Sequence, residues 1–353
     1  MAAELSRQGR SVFVFDRELT FGQGISSRQS EIIHAGIYYP QGSLKAKLCR
    51  EGNRLLYELC RKYDIPHKRT GKMIVACSEE EIPELERIYE QAAANGVDDL
   101  RYLSRADIQR LEPNVDGRAG ILSPSTGIID THSLMSLFHS QAVEAGAEFL
   151  YGTEVTGLDR AGEVWRVGIR DREGFSELFS RVVINSAGLE SDKVARLAGA
   201  TGDDYRLHYC KGEYFGLNSR LRGSIGRLIY PTPQEAGLGV HLTIALDGMM
   251  RLGPNTQYVG EIDYSVDKSH REAFYLSAGR FLPHLELEDL HPDLAGIRPK
   301  LQGPGGLFHD FVIVHDDQGP LAGLVNLVGI ESPGLTASPA IARYVAELTA
   351  DIT

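Results

Sequence analysis

The feature that most constrains the fold is the N-terminal stretch, in which the end of a helix leads into a short apolar strand that finishes in an acid. Residues 1–9 (MAAELSRQG) have the composition of the last turns of a helix, with Gly9 placed to close it. Residues 11–16 (SVFVFD) are mostly apolar β-formers and end in Asp16. This succession is typical of the second half of a dinucleotide-binding βαβ unit, where the acid accepts hydrogen bonds from ribose hydroxyls. It predicts an α/β fold with a Rossmann-like domain.

The first half of that unit has no counterpart ahead of Asp16, because no Gly-x-Gly-x-x-Gly turn occurs there. Such a unit takes about 30 residues to reach its acid. We therefore expect the domain to be N-terminally truncated in this chain, without its first strand and glycine-rich turn. Two causes stay open, a start codon assigned too far downstream and a damaged gene, and the intact motifs further along favour the first.

Composition narrows the class of protein. The 353 residues are 42% apolar and 24% charged, and 48 acids against 37 bases give a formal charge of -11. That balance argues against a general nucleic-acid binder, which needs cationic contacts to phosphates, but it allows a local cationic pocket. The four cysteines (Cys49, Cys60, Cys77 and Cys210) have no CxxC or metal-ligand spacing and are expected to be reduced thiols, with no metal site.

The sequence contains no run of about 20 apolar residues, so no transmembrane segment is predicted. Residues 1–10 also lack the apolar region of a signal peptide. We expect a cytoplasmic location, with peripheral attachment to a membrane left open.

Two consecutive stretches after Asp16 suggest a bound ligand. Residues 17–30 combine glycines, hydroxyls and an arginine, which are all suited to donating hydrogen bonds to a pyrophosphate, although a solvated polar loop would have a similar composition. Residues 32–40 are too apolar for a surface loop, yet they contain His34 and Gly36. This pattern indicates a buried segment that passes close to a planar ligand.

The remaining pattern alternates between α/β and sheet-rich stretches. Helices are predicted over 43–63, 79–95 and 133–145, and the last helix is expected to start with Ser338 as N-cap and Pro339 in its first turn. Residues 149–158 are expected to form one strand. From 205 to 298 the strands alternate and are rich in aromatic residues, which predicts a mostly antiparallel substrate lobe.

This pattern gives a two-lobed α/β (α+β) architecture. Residues 1–70, 120–204 and 300–353 are assigned to a discontinuous dinucleotide-binding domain. Residues 71–119 and 205–299 are assigned to the substrate domain.

Five segments carry a resemblance to a known family: SEIIHAGIYYP (30–40), KGEYF (211–215), LIYP (228–231), LGPN (252–255) and GIESPGLT (329–336). Together they resemble FAD-dependent oxidoreductases of the D-amino-acid oxidase type, and more narrowly the L-2-hydroxyglutarate dehydrogenase (oxidase) family. The resemblance covers essentially the whole chain. It departs from the family at the N-terminal strand and glycine-rich turn.

The resemblance implies FAD as the cofactor and gives roles to eleven residues. Asp16 would hold the adenosine ribose, where the family more often has Glu, and Val155 would present its backbone to the adenine. A helix N-terminus at the flavin would stabilise the anionic reduced form, by about 0.3–1 kcal/mol when exposed. The other implied cofactor residues are Ser26, Ser27, Arg28 and Ser30 at the pyrophosphate and ribityl chain, Ala187 and Gly188 packed on the cofactor, and Gly334, Leu335 and Thr336 with amides beside the flavin pyrimidine.

The reaction implied is the two-electron oxidation of a 2-hydroxy acid to a 2-oxo acid, with the C2 hydrogen leaving as hydride to flavin N5 and a base taking the hydroxyl proton. Histidine is the natural base near neutral pH, and His34 and His241 are the candidates. His34 has a rival role, because related enzymes attach FAD covalently through a histidine in a similar segment. Either residue could instead be a hydrogen-bonded interior histidine.

The substrate implied is a dicarboxylic 2-hydroxy acid, most narrowly L-2-hydroxyglutarate, whose carboxylates need cations or polar donors. Arg298 lies in GIRPK (296–300), where an Arg-Pro turn could present a bidentate fork. Solvated surface charges are the alternative for the cations. The other candidates are Lys211, Lys300 and, as neutral donors, Tyr230 and Thr243.

Other activities remain open at this point. Amine or amino-acid oxidases and glycerol-3-phosphate dehydrogenases share the fold, and an inactive truncated remnant that binds no FAD is a further alternative. The sequence names no electron acceptor, so oxygen, a quinone and a carrier protein all stay possible.

Overall fold

The computed structural model describes residues 1–200, 202, 205–233 and 239–352. Within this part of the chain the α-helices are α1 (Ala2–Arg7), α2 (Leu44–Lys62), α3 (Ile82–Ala94), α4 (Arg105–Leu111), α5 (Thr131–Glu144), α6 (Ser191–Leu197), α7 (Arg271–Gly279) and α8 (Gly334–Leu348). The β-strands are β1 (Phe13–Asp16), β2 (Ile32–Ile33), β3 (His67–Lys68), β4 (Lys72–Ala76), β5 (Arg101–Ser104), β6 (Ala119–Ser123), β7 (Gly127–Ile129), β8 (Glu148–Tyr151), β9 (Glu154–Ala161), β10 (Val164–Asp171), β11 (Gly174–Ser180), β12 (Val183–Asn185), β13 (His208–Leu217), β14 (Leu228–Pro231), β15 (Leu242–Ile244), β16 (Met250–Leu252), β17 (Gln257–Val259), β18 (Leu290–Lys300), β19 (Val312–Asp316) and β20 (Leu324–Val328). The mixed α/β class predicted from the sequence is confirmed.

The chain packs as two compact units. Unit 1 comprises Met1–Ser27, Thr131–His208 and Pro299–Thr353, and unit 2 comprises Arg28–Asp130 and Tyr209–Arg298. These bounds differ from the predicted domains, since residues 28–70 and 120–130 pack with unit 2. The assignment of one domain to the cofactor and the other to the substrate stays a prediction.

Unit 1 contains the helix and strand expected at the N-terminus. Helix α1 ends where Gly9 adopts a φ of +81°, and β1 then pairs in parallel with β8. A second sheet has the order β12-β20-β19, with β12 and β20 parallel. A third, antiparallel sheet has the order β11-β10-β9 and packs around the buried Trp165.

The single strand predicted over residues 149–158 is wrong. The structure breaks it into β8 and β9, which belong to different sheets. The break falls at Gly152, whose φ of +65° turns the chain and ends the pairing with β1. A continuous β-forming pattern in the sequence concealed this turn.

The start predicted for the last helix is also wrong. Helix α8 begins at Gly334, four residues before the expected N-cap, and Pro339 lies inside it. Pro339 has no N–H to donate to the carbonyl of Leu335, one turn earlier. The Ser338 hydroxyl donates to that carbonyl instead, over 2.8 Å, so the helix passes through the proline with the carbonyl satisfied.

Unit 2 is built on a nine-stranded sheet whose main path is β17-β13-β16-β15-β14-β4-β6-β5, with β18 paired to β13. The pairs described along it are antiparallel except β14 with β4, as the sequence predicted for a mostly antiparallel lobe. Helix α2, predicted over 43–63, is capped by Ser43, whose hydroxyl accepts a hydrogen bond from the Ala46 amide at 3.1 Å. No helix in the described part of the chain is long and apolar enough to cross a membrane.

Side chains alternate between the two faces of this sheet. On β4, Met73 and Val75 join one core cluster, whereas Ile74 and Ala76 join another. Lys72 has the same parity as Ile74 and so lies on that second face. Tyr230 shares it, because Ile74 and Tyr230 are register partners on neighbouring strands. Both faces of the sheet therefore cover an apolar cluster, and the second face also carries the polar groups of Lys72 and Tyr230.

The Arg-Pro turn predicted at residues 296–300 is wrong as well. Arg298 lies within β18, an extended strand of eleven residues. Pro299 is tolerated there because a residue near the end of an outer strand need not donate a ladder hydrogen bond. Arg298 is therefore presented by a sheet, which fixes its direction more firmly than a turn would.

We predict that Ser338→Ala destabilises α8 by about 1 kcal/mol, because the Leu335 carbonyl loses its donor. In a Pro339→Ala background the restored amide takes over, so the same serine change should cost close to nothing. Urea unfolding of the four variants of this double-mutant cycle measures the coupling. Additive costs would show that the hydroxyl does not replace the missing amide.

Candidate active site

The polar face of unit 2 has a stacked pair of rings at its centre. The rings of Tyr230 and His241 lie 3.7 Å apart between centroids with planes 20° apart, and both residues are buried. His241 Nδ1 lies 3.0 Å from the carbonyl oxygen of Gly239, so this ring nitrogen carries the proton of the neutral imidazole. Nε2 then keeps its lone pair. The geometry makes His241 a group able to accept a proton.

Burial lowers the pKa of His241 from its usual 6.5 to about 3, and the charges of Lys72, Arg298 and His34 lower it further than burial alone would. The hydrogen bond to Gly239 acts in the opposite direction. His241 is therefore neutral at physiological pH. An anion placed beside these cations would raise its pKa toward the range useful for a base.

His34 lies in the buried segment that the sequence predicted. Its neighbours Ile33 and Ala35 are buried, and its own carbonyl oxygen accepts from Asn53 Nδ2 at 2.8 Å. Burial, and then the charge of Lys72, lowers the pKa of His34 to about 3. The imidazole is neutral and held in a fixed backbone, so both predicted roles remain proposals.

A buried lysine that the sequence analysis missed lies beside both histidines. Lys72 is 1% exposed and its Nζ lies 4.5 Å and 4.7 Å from the ring centroids of Tyr38 and Tyr230. Burial lowers its pKa to about 7. A signal was present in the sequence, since Lys72 has the same parity as Ile74 in a strand buried along its whole length.

Two motifs that are far apart in the sequence meet around Arg298. Its Nη1 and Nη2 both donate to the carbonyl oxygen of Asn255 at 3.3 Å. Asn255 is held in turn by Glu213, since its Nδ2 donates to the carboxylate at 3.0 Å and its Oδ1 accepts the Glu213 amide at 2.8 Å. Arg298 also packs over Gly212, where a Cβ would come within 2.7 Å of Nη2. Glu213 and Asn255 were given no role from the sequence, and both act here as positioning residues.

Glu213 is a fully buried carboxylate with several donors. Besides Asn255 it accepts the amide of Asp267 at 3.0 Å and pairs with His270 Nδ1 at 2.5 Å. Burial alone would raise its pKa, but these hydrogen bonds together outweigh burial and lower it. Glu213 is thus ionised and fixed, as a residue that orients others must be.

The other predicted substrate residues already have partners. Lys211 is buried and pairs with Asp263 at 2.6 Å and with Glu213 at 3.7 Å. Lys300 belongs to unit 1 and pairs with Glu331 at 3.3 Å. Thr243 is buried on β15, with Oγ1 3.5 Å from the carbonyl oxygen of Arg251. Their roles as substrate donors stay predictions.

In unit 1 the predicted cofactor residues gather where strands end. Asp16 closes β1, and its pKa is raised by burial despite the hydrogen bond that its carboxylate accepts from the Glu18 amide. Val155 lies at the start of β9, an edge strand, so alternate residues there direct backbone groups away from the sheet. Asp16 thus lies at the carboxyl end of a parallel strand, where ligands of open α/β sheets bind, whereas Val155 lies near the amino end of its strand.

Small residues follow β12 as predicted. Ala187 leads into Gly188, which has a φ of +59°, and a Cβ on Gly188 would lie 3.2 Å from Ile25. Ile25 begins the short 3-10 helix that includes Ser26 and Ser27. The two segments expected to contact the cofactor are therefore neighbours in the fold.

The observed start of α8 bears on the predicted contact between backbone amides and the flavin. Gly334, Leu335 and Thr336 are its first three residues, so their amides belong to the positive end of a fifteen-residue helix. An acid at the end of a strand, small residues at a close approach and a helix N-terminus together suit the parts of FAD. Arg28 and Ser30 lie in unit 2, with the Arg28 guanidinium 4.0 Å from the Tyr264 ring centroid and Ser30 hydrogen-bonded to Tyr214.

An α/β unit with these features and, in the other unit, a sheet that presents a neutral histidine and cations are together typical of a flavin-dependent oxidoreductase. The chain belongs to the FAD dependent oxidoreductase (DAO) family, whose model matches residues 1–348. FAD is its cofactor.

The chain is similar to several named relatives. It is 39% identical to a mitochondrial L-2-hydroxyglutarate dehydrogenase of Arabidopsis thaliana, over 98% of this chain and 80% of that protein. The human protein of the same name is 31% identical over 96% and 82% of the two chains. Among solved structures, an FAD-bound L-alpha-glycerophosphate oxidase from Mycoplasma pneumoniae matches with a TM-score of 0.85 and 26% identity, over 98% and 90% of the two chains.

We predict that His241 makes the protein sensitive to acid. Its pKa is lower in the folded than in the unfolded chain, so its contribution to stability is complete above about pH 6.5 and is lost as the pH falls toward 3. His241→Asn keeps a donor for the Gly239 carbonyl but does not titrate. The loss of unfolding free energy between these pH values should shrink by about 2–4 kcal/mol.

Urea unfolding at several pH values measures this difference, with His284→Asn, an exposed residue of the same unit, as control. If the two variants lose stability with the same slope, His241 is not the group responsible.

Proposed function

We propose that this protein oxidises L-2-hydroxyglutarate to 2-oxoglutarate, and that unit 2 binds the acid. The proposal depends on one observation: the positive charge of Arg298 acts on His241 and lowers its pKa. A cation next to a neutral imidazole suits a substrate with a carboxylate beside a hydroxyl. The identity to L-2-hydroxyglutarate dehydrogenases supports this choice of acid.

In this proposal Arg298 binds the C1 carboxylate through its guanidinium fork. Asn255 and Glu213 hold the fork in place. His241 Nε2 receives the proton of the C2 hydroxyl, and Tyr230 supports the imidazole by stacking on it. FAD supplies the acceptor for the hydride that leaves C2, so the acid loses two electrons and two protons in all.

His34 remains the alternative base or the site of covalent attachment. Denaturing the purified protein decides between these roles, because a flavin linked through His34 stays with the polypeptide. We also propose that the cofactor residues named above hold FAD as the resemblance implies. The cytoplasmic location is part of the proposal, although the named dehydrogenases are mitochondrial, and cell fractionation tests it.

The test is anaerobic mixing of the FAD-loaded protein with candidate substrates. We expect L-2-hydroxyglutarate to bleach the flavin absorption band and to yield 2-oxoglutarate, whereas the D-enantiomer should not. Protein that takes up no FAD would favour the non-binding alternative and overturn the proposal.

Glycerol 3-phosphate is the second candidate, because a glycerol 3-phosphate dehydrogenase of Caloramator mitchellensis is 29% identical over this whole chain and 71% of that protein. It is tested in the same way. Bleaching by glycerol 3-phosphate alone would replace the proposed substrate.

We predict that Gly212→Ala impairs substrate binding by displacing Arg298, because the new Cβ would lie 2.7 Å from both Nη2 and Pro254 Cβ. A contact made equally in the ground and transition states changes KM more than kcat. We expect KM for L-2-hydroxyglutarate to rise about tenfold or more. Gly260→Ala is the matched control, since a Cβ there meets no atom within 4 Å. Equal KM values in the two variants would remove Arg298 from the site.

A further inference from the structure

Lys72 is a buried cation on β4, within the unit 2 sheet, and is 1% exposed. Among the residues that the structure describes, no carboxylate forms an ion pair with its Nζ, whereas the buried Lys211 on β13 has two such partners. Burying an ammonium without a counter-charge is costly, so a lysine kept in this position needs a reason beyond packing.

The surroundings of Lys72 resemble a binding site more than a core. The ring centroids of Tyr38 and Tyr230 lie 4.5 Å and 4.7 Å from the ammonium, and His241 stacks on the Tyr230 ring. The Tyr38 hydroxyl is buried and has no hydrogen-bond partner among the described residues. Lys72 and the Tyr38 hydroxyl are thus hydrogen-bond donors beside aromatic rings, with no acceptor among the described residues. A carboxylate on an apolar chain would supply that acceptor.

We propose that Lys72, assisted by the Tyr38 hydroxyl, binds the C5 carboxylate of the dicarboxylic substrate and thereby sets the preference for a diacid over a monoacid. The inference rests on the proposed function and deepens it. Arg298, a planar fork, takes the carboxylate next to the reacting carbon. The tyrosine rings contact the methylene groups that lead to the second carboxylate.

Proton binding gives the proposal a second consequence. The pKa of Lys72 is about 7, so the amine is largely neutral at pH 8, and a bound carboxylate favours its ammonium form. Binding of a diacid at pH 8 should therefore take up close to one proton. The other titratable groups that face Lys72 are His34, Tyr38, Cys49, Tyr230 and His241. They do not take up a proton at pH 8, since the pKa of both histidines is far lower and burial raises the pKa of Cys49, Tyr38 and Tyr230.

The first experiment compares binding of two unreactive acids to the FAD-loaded protein by calorimetry. Glutarate has two carboxylates, and pentanoate has the same chain length with one. Lys72→Met keeps the length of the side chain and removes its charge. We expect glutarate binding to weaken about 10- to 100-fold while pentanoate binding changes less than about twofold.

Lys62→Met, an exposed residue on α2 in the same unit, controls for the loss of one positive charge. If Lys72→Met weakens the binding of glutarate and pentanoate equally, Lys72 does not bind the second carboxylate, and the proposal is wrong. Unchanged glutarate binding would overturn it as well.

The second experiment repeats the glutarate titration at pH 8 in buffers with different ionisation enthalpies. The wild type should take up close to one proton and Lys72→Met should take up none. A merely structural lysine would leave this number unchanged by the substitution. Replacing a lysine that stabilises the fold would also lower the unfolding midpoint. Replacing a buried lysine that serves only binding should raise the midpoint.

The two proposals fail in different ways. If the wild type binds glutarate but L-2-hydroxyglutarate does not reduce its flavin, the proposed function is wrong while the assignment of Lys72 stands on the binding data. If L-2-hydroxyglutarate is oxidised with equal kcat/KM by the wild type and Lys72→Met, the function stands and the assignment of Lys72 is wrong.

Discussion

The alternation of side chains across the large sheet of unit 2 is the constraint on which the candidate site depends. One face takes Met73, Val75 and their apolar partners into a core, and this burial holds the strands in register. The register then fixes what the opposite face can present, because a slip of one residue would exchange the two sets of side chains. Lys72 on β4, Tyr230 on β14 and His241, the residue before β15, come together for this reason.

Positive charge dominates the electrostatics of that face. Arg298 and Lys72 bring positive charge near two neutral histidines, and both cations lower the pKa of His241. Such an arrangement costs stability in the free protein and is relieved only when an anion arrives. In the proposed reaction the same anion raises the pKa of His241, the proposed base. Substrate binding and activation of that base are linked, in this proposal, through one set of charges.

Much of the fold could be predicted from the sequence because its signals are local. The helix over 43–63 and the glycine that closes the first helix, Gly9, each depend on neighbouring residues, and both were predicted correctly. Arg298 was misplaced because Pro299 suggests a turn, whereas pairing with β13, which lies far away in the sequence, makes the segment a strand. The start of α8 was misplaced because a side-chain hydrogen bond compensates for a proline. Lys72 escaped notice because a lysine at the edge of an apolar run usually marks where a strand meets solvent.

The buried carboxylate of Glu213 has a consequence for how the protein assembles. Its partners Asn255 and His270 follow it by 42 and 57 residues, so the chain must close these intervals before the carboxylate is satisfied. A half-formed sheet would leave the charge facing apolar neighbours without donors, at a cost of several kcal/mol. Partial structures of this region are therefore penalised, and the loop that supports Arg298 orders together with the sheet instead of afterwards. The residues that hold the proposed substrate-binding arginine thus become a condition of folding for the surface that displays it.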